Sequence, residues 1–384
     1  MTVERDPATL CHQLERLGCV TPALVIDLDT VAANIAAVLA RVGDPRRWRP
    51  HVKTVKQAAI VRLLLDAGVR HFKCATLPEL SLVLATADEA AVAVDVLLAH
   101  PLPQSRFPEL LALAQAHRRA QVGVLVDAPE VLARWPDGAD AIARWLDVDV
   151  GMHRTGTAAS RWLDWLDRHG RSEIAGLHGY EGHLGFDDRD AAFAGYDALV
   201  ELAQRHGGLA YVTTSGSHAI EHALAHAGLT SGPWQHQVGA GTLVLSDLAS
   251  TRPAAAIGVI PAAFVAARVI ARPTPDRITL DAGSKAISPD RPPPSCAVVG
   301  YPGLVPGKAS EEHLPLRVTA GEVPERGAIV LLVPDHVCTT VNLHREAIHV
   351  RDGSVCGFGE IEAAGRERPL PHWSPPCTTA ATTR

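Results

Sequence analysis

What most restricts this chain is a rhythm. Short runs rich in Val, Leu and Ile alternate with stretches of helical periodicity across most of its length. Strands are expected at about Trp48–Lys53, His71–Thr76, Val92–Ala99, Gln121–Val126, Trp145–Val150, Ile174–Tyr180, Tyr211–Ser215 and Gln237–Leu245, with helical segments such as Asp188–His206 in most of the gaps. Strands that alternate with helices pair in parallel through right-handed crossovers. Eight such units is the number at which a parallel sheet closes on itself, so the expected fold class is α/β, a (β/α)8 TIM-type barrel. An open doubly wound sheet is the other architecture the pattern admits.

Before the rhythm begins, a further strand is expected at Leu24–Leu28, followed by a helix pattern through Val31, Ile35, Val38 and Leu39. After about Asp247 the texture changes to β-rich segments with Pro and Gly turns and hardly any helical periodicity, including AAFVAARVIA, DRITLDAG and AIVLLVP. The expected organisation is an N-terminal segment (1–30), a barrel (31–250), an all-β C-terminal domain (251–372) and a disordered tail (373–384). Ser288–Ser295 (SPDRPPPS) reads as a loop without chemistry.

Composition narrows the partner. With 36 Lys+Arg against 42 Asp+Glu the net charge is −6, so no global basic field would hold nucleic acid or an anionic membrane, and a small molecule is expected instead. The 7 cysteines are scattered without a framework spacing, which fits a reducing cytoplasm. The N-terminus shows no apolar signal core, and the longest uncharged apolar stretch, Pro253 to Ala267, is broken by Gly258 and Pro261, so neither export nor a membrane span is expected.

Four segments could carry chemistry. In RPHVKTVK, His51 and Lys53 stand two apart on an expected strand, on one face at its C-terminal end, which in a βα barrel faces the active site. A desolvated amine there forms Schiff bases; a solvated lysine at a strand end is the plain alternative. The small-residue loops Thr213–Ser217 and Gly239–Thr242 fall where such a barrel binds phosphate, though Gly/Ser turns are also common without function. Arg154, just beyond the fifth strand, could hold a phenolate or carboxylate, or simply a surface ion pair. In VPDHVCTTVNLH, His336 and Cys338 are two apart on an expected extended strand. That is a borderline-soft pair suited to Zn²⁺, or a buried cysteine beside an ordinary histidine.

Together with TPALVIDLDTVAANI, DVGMHRTG, GLHGYEGH, GAGTLVLSD, LDAGSKAIS and VRDGSVCGF, these segments resemble, in order and over most of the chain, the D-threonine aldolase and D-serine dehydratase branch of the alanine-racemase-fold pyridoxal-phosphate enzymes. The resemblance implies Lys53 as the Schiff-base lysine, with Arg154 at the pyridoxal phenolic oxygen. It implies Ser215, Gly216, Ser217, Gly241 and Thr242 as the phosphate cup, and His336 and Cys338 as ligands of a divalent metal, zinc or the harder manganese. His51 and Tyr180 would line the cofactor, and His183 or a bound water would take the hydroxyl proton in an aldol cleavage. The Leu24–Leu28 strand would join the β domain. The implied enzyme is a cytoplasmic homodimeric lyase acting on D-β-hydroxy-α-amino acids, by loss of water or by retro-aldol cleavage, with each active site completed by the partner's β domain.

The chain also departs from that branch. Val55 precedes Lys56 where the motif commonly ends in His-Lys, and Leu243 stands where aldolases often show tyrosine. Gly239 occupies the place of the arginine that racemases of the fold set near the pyridine nitrogen. A racemase would also need a β-domain tyrosine acid/base, and Tyr301 lies in an unrelated YPG context. A non-catalytic vitamin-B6 carrier would lack the β domain altogether.

Overall fold

The computed structural model describes residues 7–170, 173–367 and 369. The tail assigned to 373–384 lies outside the described residues. The first strand, β1 (Ala23–Asp27), leads directly into the helix Leu28–Val42. Asp27 caps that helix by accepting from the N–H groups of Asp29 and Thr30, and Val31, Ile35, Val38 and Val42 form its buried stripe at helical spacing. Burying each such side chain contributes roughly 1.5–3 kcal/mol.

Seven parallel strands follow in sequence order: β2 (His71–Cys74), β3 (Val94–Leu98), β4 (Ala120–Val126), β5 (Ile142–Val148), β6 (Gly176–Gly179), β7 (Tyr211–Thr214) and β8 (Gln235–Val238). The first barrel strand, expected over Trp48–Lys53, is shorter and looser than the sequence suggests. Only Trp48–His51 is extended, bridging Val238 on one side and Lys73 on the other. Arg49 N–H donates to Val238 O at 3.0 Å, and Lys73 N–H to Pro50 O at 3.0 Å. That segment closes the barrel, but Pro50 has no N–H to sustain a ladder, and from Val52 the chain turns into a 3-10 helix. The eighth strand likewise ends at Val238 rather than Leu245, because Gly239–Gly241 turns away and Thr242–Val244 is again 3-10.

The barrel interior is packed rather than hollow. Leu97, Leu125 and Trp145 form a buried cluster with Tyr211 against it. A Cβ at Gly123 or Gly176 would lie 2.7 Å from the Trp145 indole, so glycine at both is what admits that ring. Beneath, the fully buried Arg49 guanidinium lies over Trp145 (4.8 Å) and Tyr211 (5.3 Å), and donates to Gln237 at 2.6 Å and Asp95 at 2.7 Å.

The rest of the chain builds a second sheet from β9 (Ala263–Thr274), β10 (Arg277–Leu280), β11 (Cys296–Val298), β12 (Leu304–Pro306), β13 (Leu314–Val318), β14 (Ile329–Pro334), β15 (Glu346–Arg351) and β16 (Ser354–Glu360). Its order is β12-β13-β10-β9-β1-β15-β16, with β14 pairing both β9 and β11. The N-terminal β1 therefore lies inside this sheet, antiparallel to β9 and parallel to β15. Two short helices, Thr251–Ile257 and Val337–Val341, interrupt what the sequence reads as purely β texture. No helix among the described residues is long and apolar enough to cross a membrane.

Candidate active site

A cavity of about 190 Å³ opens at the C-terminal ends of the barrel strands, and both the barrel and the β-rich region line it. Lys53 and His51 reach it, though not as strand neighbours. Lys53 sits in the 3-10 turn Val52–Thr54, and His51 is the cap of that turn, its Nδ1 accepting from Lys53 N–H at 3.3 Å. The turn swings the lysine over the barrel mouth, and Lys53 Nζ lies 5.8 Å from the centre of the Tyr180 ring. Burial, then the charges of Lys53 and Lys73, hold the His51 imidazole well below its ordinary pKa, so it is neutral.

The two small-residue loops abut this turn. A Cβ on Gly241 would fall 2.2 Å from the His51 carbonyl oxygen, so the second loop approaches so closely only because it has no side chain there. Gly216 packs its backbone against the Tyr180 ring, which a Cβ would meet at 3.1 Å. Ser215 takes a left-handed conformation (φ +64°), and its N–H donates to Glu181 at 3.3 Å. The hydroxyls of Thr213, Ser215 and Ser217 are buried without hydrogen-bond partners among the described residues. Orphaned hydroxyls beside a glycine turn are what an anion-binding loop presents to its ligand.

Tyr180 is the hub. The exposed Arg154 holds its guanidinium 4.9 Å from the Tyr180 ring centre, and its side chain is not part of the cavity wall. His183 lies exposed beside Gly151, with Nε2 3.4 Å from where a Cβ there would be, and its side chain is not part of the cavity wall.

From the β-rich region come His336 and Cys338, and their local structure differs from the expected strand. β14 ends at Pro334; His336 caps the helix Val337–Val341, and Cys338 lies in its first turn. The helical turn, not strand alternation, brings the two side chains together. Thr54 Oγ1 lies 3.0 Å and Thr242 Oγ1 3.4 Å from Cys338 Sγ, so the cysteine meets the lysine turn and the second loop directly. Burial pushes the thiol up, but the neighbouring His336, then Lys53, bring it below its ordinary value. His336 is pushed up to about 9, first by its hydrogen bond to Cys338 and also by Asp290. Each thus favours the charged form of the other, and the cysteine is 9% exposed. Both side chains line the same chain's cavity as Lys53, so they reach the lysine without a partner subunit's β domain, contrary to the expectation the resemblance raised.

Several site residues gave no sequence signal. Asp290, inside SPDRPPPS, accepts from His336 Nδ1 at 2.5 Å, and Arg291 beside it lines the cavity, so the loop expected to be a plain connection reaches the candidate site. Lys73 and Glu181 lie on the cavity wall, 2% exposed each. Burial pushes the Glu181 carboxyl up to about 7 although Tyr196 OH donates to it at 3.0 Å. Below them, His178 Nδ1 pairs with Asp147 at 2.7 Å. Among the described residues no group of three or more His, Cys, Asp or Glu is gathered to hold a metal. A cation here would have two protein donors and otherwise water or substrate, an open arrangement of the catalytic kind.

Comparison with known proteins agrees with the geometry. Residues 26–231 match the alanine racemase N-terminal domain family, and residues 262–350 the putative serine dehydratase domain. D-threonine aldolase from Arthrobacter sp is 30% identical over 91% of this chain and 93% of its own. The solved D-threo-3-hydroxyaspartate dehydratase of Delftia sp. HT23 superposes with TM-score 0.71 at 25% identity, covering 92% of this chain and 99% of that one. D-threonine aldolase from Filomicrobium marinum gives 0.72 at 24% identity, over 90% and 95%. With the family match spanning more than half of the chain and the aldolase relative nearly all of it, the chain belongs to the D-threonine aldolase and D-serine dehydratase branch of the alanine-racemase-fold enzymes.

Proposed function

We propose that this protein is a pyridoxal-phosphate- and metal-dependent lyase that removes water from D-β-hydroxy-α-amino acids. The observation that carries this reading is one cavity where a turn lysine, a loop with orphaned hydroxyls, a second glycine loop and a His–Cys pair backed by Asp290 converge. The residues fit both groups. Ser215, Ser217 and Thr242, with the backbone at Gly216 and Gly241, would hold the phosphate, Arg154 the ring oxygen, and His336 and Cys338 the metal. When bound, the cofactor supplies an electron sink for cleavage at Cα, and the metal a Lewis acid at the β-hydroxyl.

The chain's own residues do the rest. The Lys53 amine would take the α-proton and, as the ammonium, supply a proton to the β-hydroxyl, which leaves as water. Neutral His51 holds the Lys53 turn through its Nδ1 and adds no charge beside the amine. Tyr180 orients Lys53 and Arg154 across its ring face. The pairing of imidazole with thiolate favours a softer cation such as zinc. Solved variants of the Delftia dehydratase alter a histidine and a cysteine two positions apart, and the cysteine variant is described as metal-free; His336 and Cys338 have the same spacing here.

The second reading is retro-aldol cleavage, favoured by the near-full-length likeness to a D-threonine aldolase. It would need a base for the hydroxyl proton. His183, exposed outside the cavity wall, is less well placed for that than a bound water. Purified protein with pyridoxal phosphate and zinc should convert D-serine to pyruvate or D-threonine to 2-oxobutyrate. Glycine with acetaldehyde from D-threonine would instead establish the aldolase, and no product from a panel of D-β-hydroxy amino acids would overturn both readings. Borohydride reduction and peptide mapping should place the label on Lys53. A homodimer is part of the reading, to be tested by light scattering.

A further inference from the structure

Lys73 is a cation on the cavity wall to which the proposed reaction assigns no task, and unlike Arg291, which also lines the cavity, it is buried. It projects from β2 into the barrel, is 2% exposed and lines the cavity. Among the described residues it has no hydrogen-bond or ion-pair partner, and its Nζ lies 5.8 Å from the centre of the Tyr180 ring. An ammonium buried without an acceptor is costly, and such groups are otherwise paired. Space has been made for this one. A Cβ on Gly239 would lie 2.3 Å from Lys73 Nζ and 2.7 Å from its Cε, so any other residue at 239 would displace the amine. Burial and the neighbouring Lys53 charge, opposed by Glu181 and Asp147, bring its pKa to about 7, a proton held loosely enough to share.

We propose that Lys73 is a cofactor-binding residue whose Nζ donates a hydrogen bond to the ring nitrogen of the bound pyridine cofactor. This rests on the pyridoxal-phosphate reading above. That reading gives the aldehyde carbon to Lys53, the phosphate to the two loops and the ring oxygen to Arg154. These three substituents sit on adjacent ring atoms, so the ring nitrogen lies on the opposite edge, the remaining polar atom without a partner. Lys73 is the buried cationic donor on the cavity wall that has no acceptor among the described residues. A lysine donor leaves the ring nitrogen unprotonated, so the ring draws electrons less strongly than a pyridinium, and more of the assistance at the β-hydroxyl falls to the metal.

The test uses holoenzyme reconstituted with cofactor labelled with ¹⁵N in the ring. In the parent the nitrogen should resonate as an unprotonated, hydrogen-bonded pyridine. In Lys73→Met, similar in length but without a donor, it should shift downfield towards free pyridine, and Lys73→Gln should recover part of the shift. Where the methionine variant holds no cofactor, Gly239→Ala, which keeps the lysine but drives Nζ aside, should give the same downfield shift. A resonance at the protonated position in the parent, or one unchanged in the variants, overturns the proposal. If borohydride labels Lys53 in those same samples, the pyridoxal reading survives that failure. If no lysine is labelled and no cofactor binds to the parent, both fall.

Discussion

Asp290 offers the sharpest test of the metal assignment, because it backs His336 without lining the cavity itself. Its Oδ2 accepts from His336 Nδ1 at 2.5 Å, and its carboxylate is itself fixed by Ser288 Oγ at 2.8 Å and Thr339 Oγ1 at 3.1 Å. With Nδ1 so occupied, Nε2 is the nitrogen left for a cation. Loss of such a carboxylate behind a ligating histidine costs about 10–100-fold in metal affinity, or about 1.4–2.8 kcal/mol. The Asp290 side chain is 37% exposed, so water replaces part of what it supplies, and the low end applies. Asp290→Asn should weaken zinc about tenfold. The assay is competition of apo-protein against a chromophoric chelator, run near pH 9. At lower pH the proton on His336, held up to about 9, must first be expelled, and removing Asp290 also loosens that proton. Borohydride labelling at Lys53 should be unchanged, showing the cavity intact. An affinity within twofold of the parent would refute the view that Asp290 orients a metal-binding imidazole.

Three further outcomes follow from the same geometry. Below pH 9 the zinc affinity of the parent should fall by up to about tenfold per pH unit, since protonation of His336 competes with the metal; a flat profile from pH 6 to 9 contradicts the assignment. Arg49→Met removes the guanidinium that pairs with Asp95 Oδ1 and Gln237 Oε1 in the barrel floor and should cost about 3–5 kcal/mol in urea unfolding, with a loss under about 1 kcal/mol counting against a structural role. Glu181 carries a folded-state pKa raised from 4.5 to about 7, so its penalty is absent below pH 4.5 and fully present above 7. Glu181→Gln should therefore gain stability relative to the parent between pH 5 and pH 8, by up to about 3 kcal/mol, and an equal difference at both pH values would refute the buried neutral carboxyl.

The barrel was legible because its strands bury β-branched runs on a fixed rhythm, and Lys53, the two loops and the His–Cys pair because their residue types announce chemistry. What stayed hidden shares a physical cause. His71 and Lys73 alternate with Phe72 and Cys74, a pattern that in an open sheet means a polar face towards water. In a closed barrel the same alternation turns Lys73 inward, 2% exposed, towards Gly239 and the cavity. Its role depends on closure, which no local window contains. Asp290 is hidden in another way: a proline-rich loop reads as connection, yet it returns to His336 across 46 positions of sequence, where only tertiary packing joins them. The strand expected for His336 and Cys338 failed because a two-residue spacing cannot be told from an extended N-cap followed by the first turn of a helix, and here the extended backbone of His336 still lets its side chain meet Cys338. The chemistry survived that error because it required only that imidazole and thiolate converge. Where function needs two groups to meet, spacing can be right for the wrong reason. Where it needs a single buried charge such as Lys73, only the closed fold reveals it.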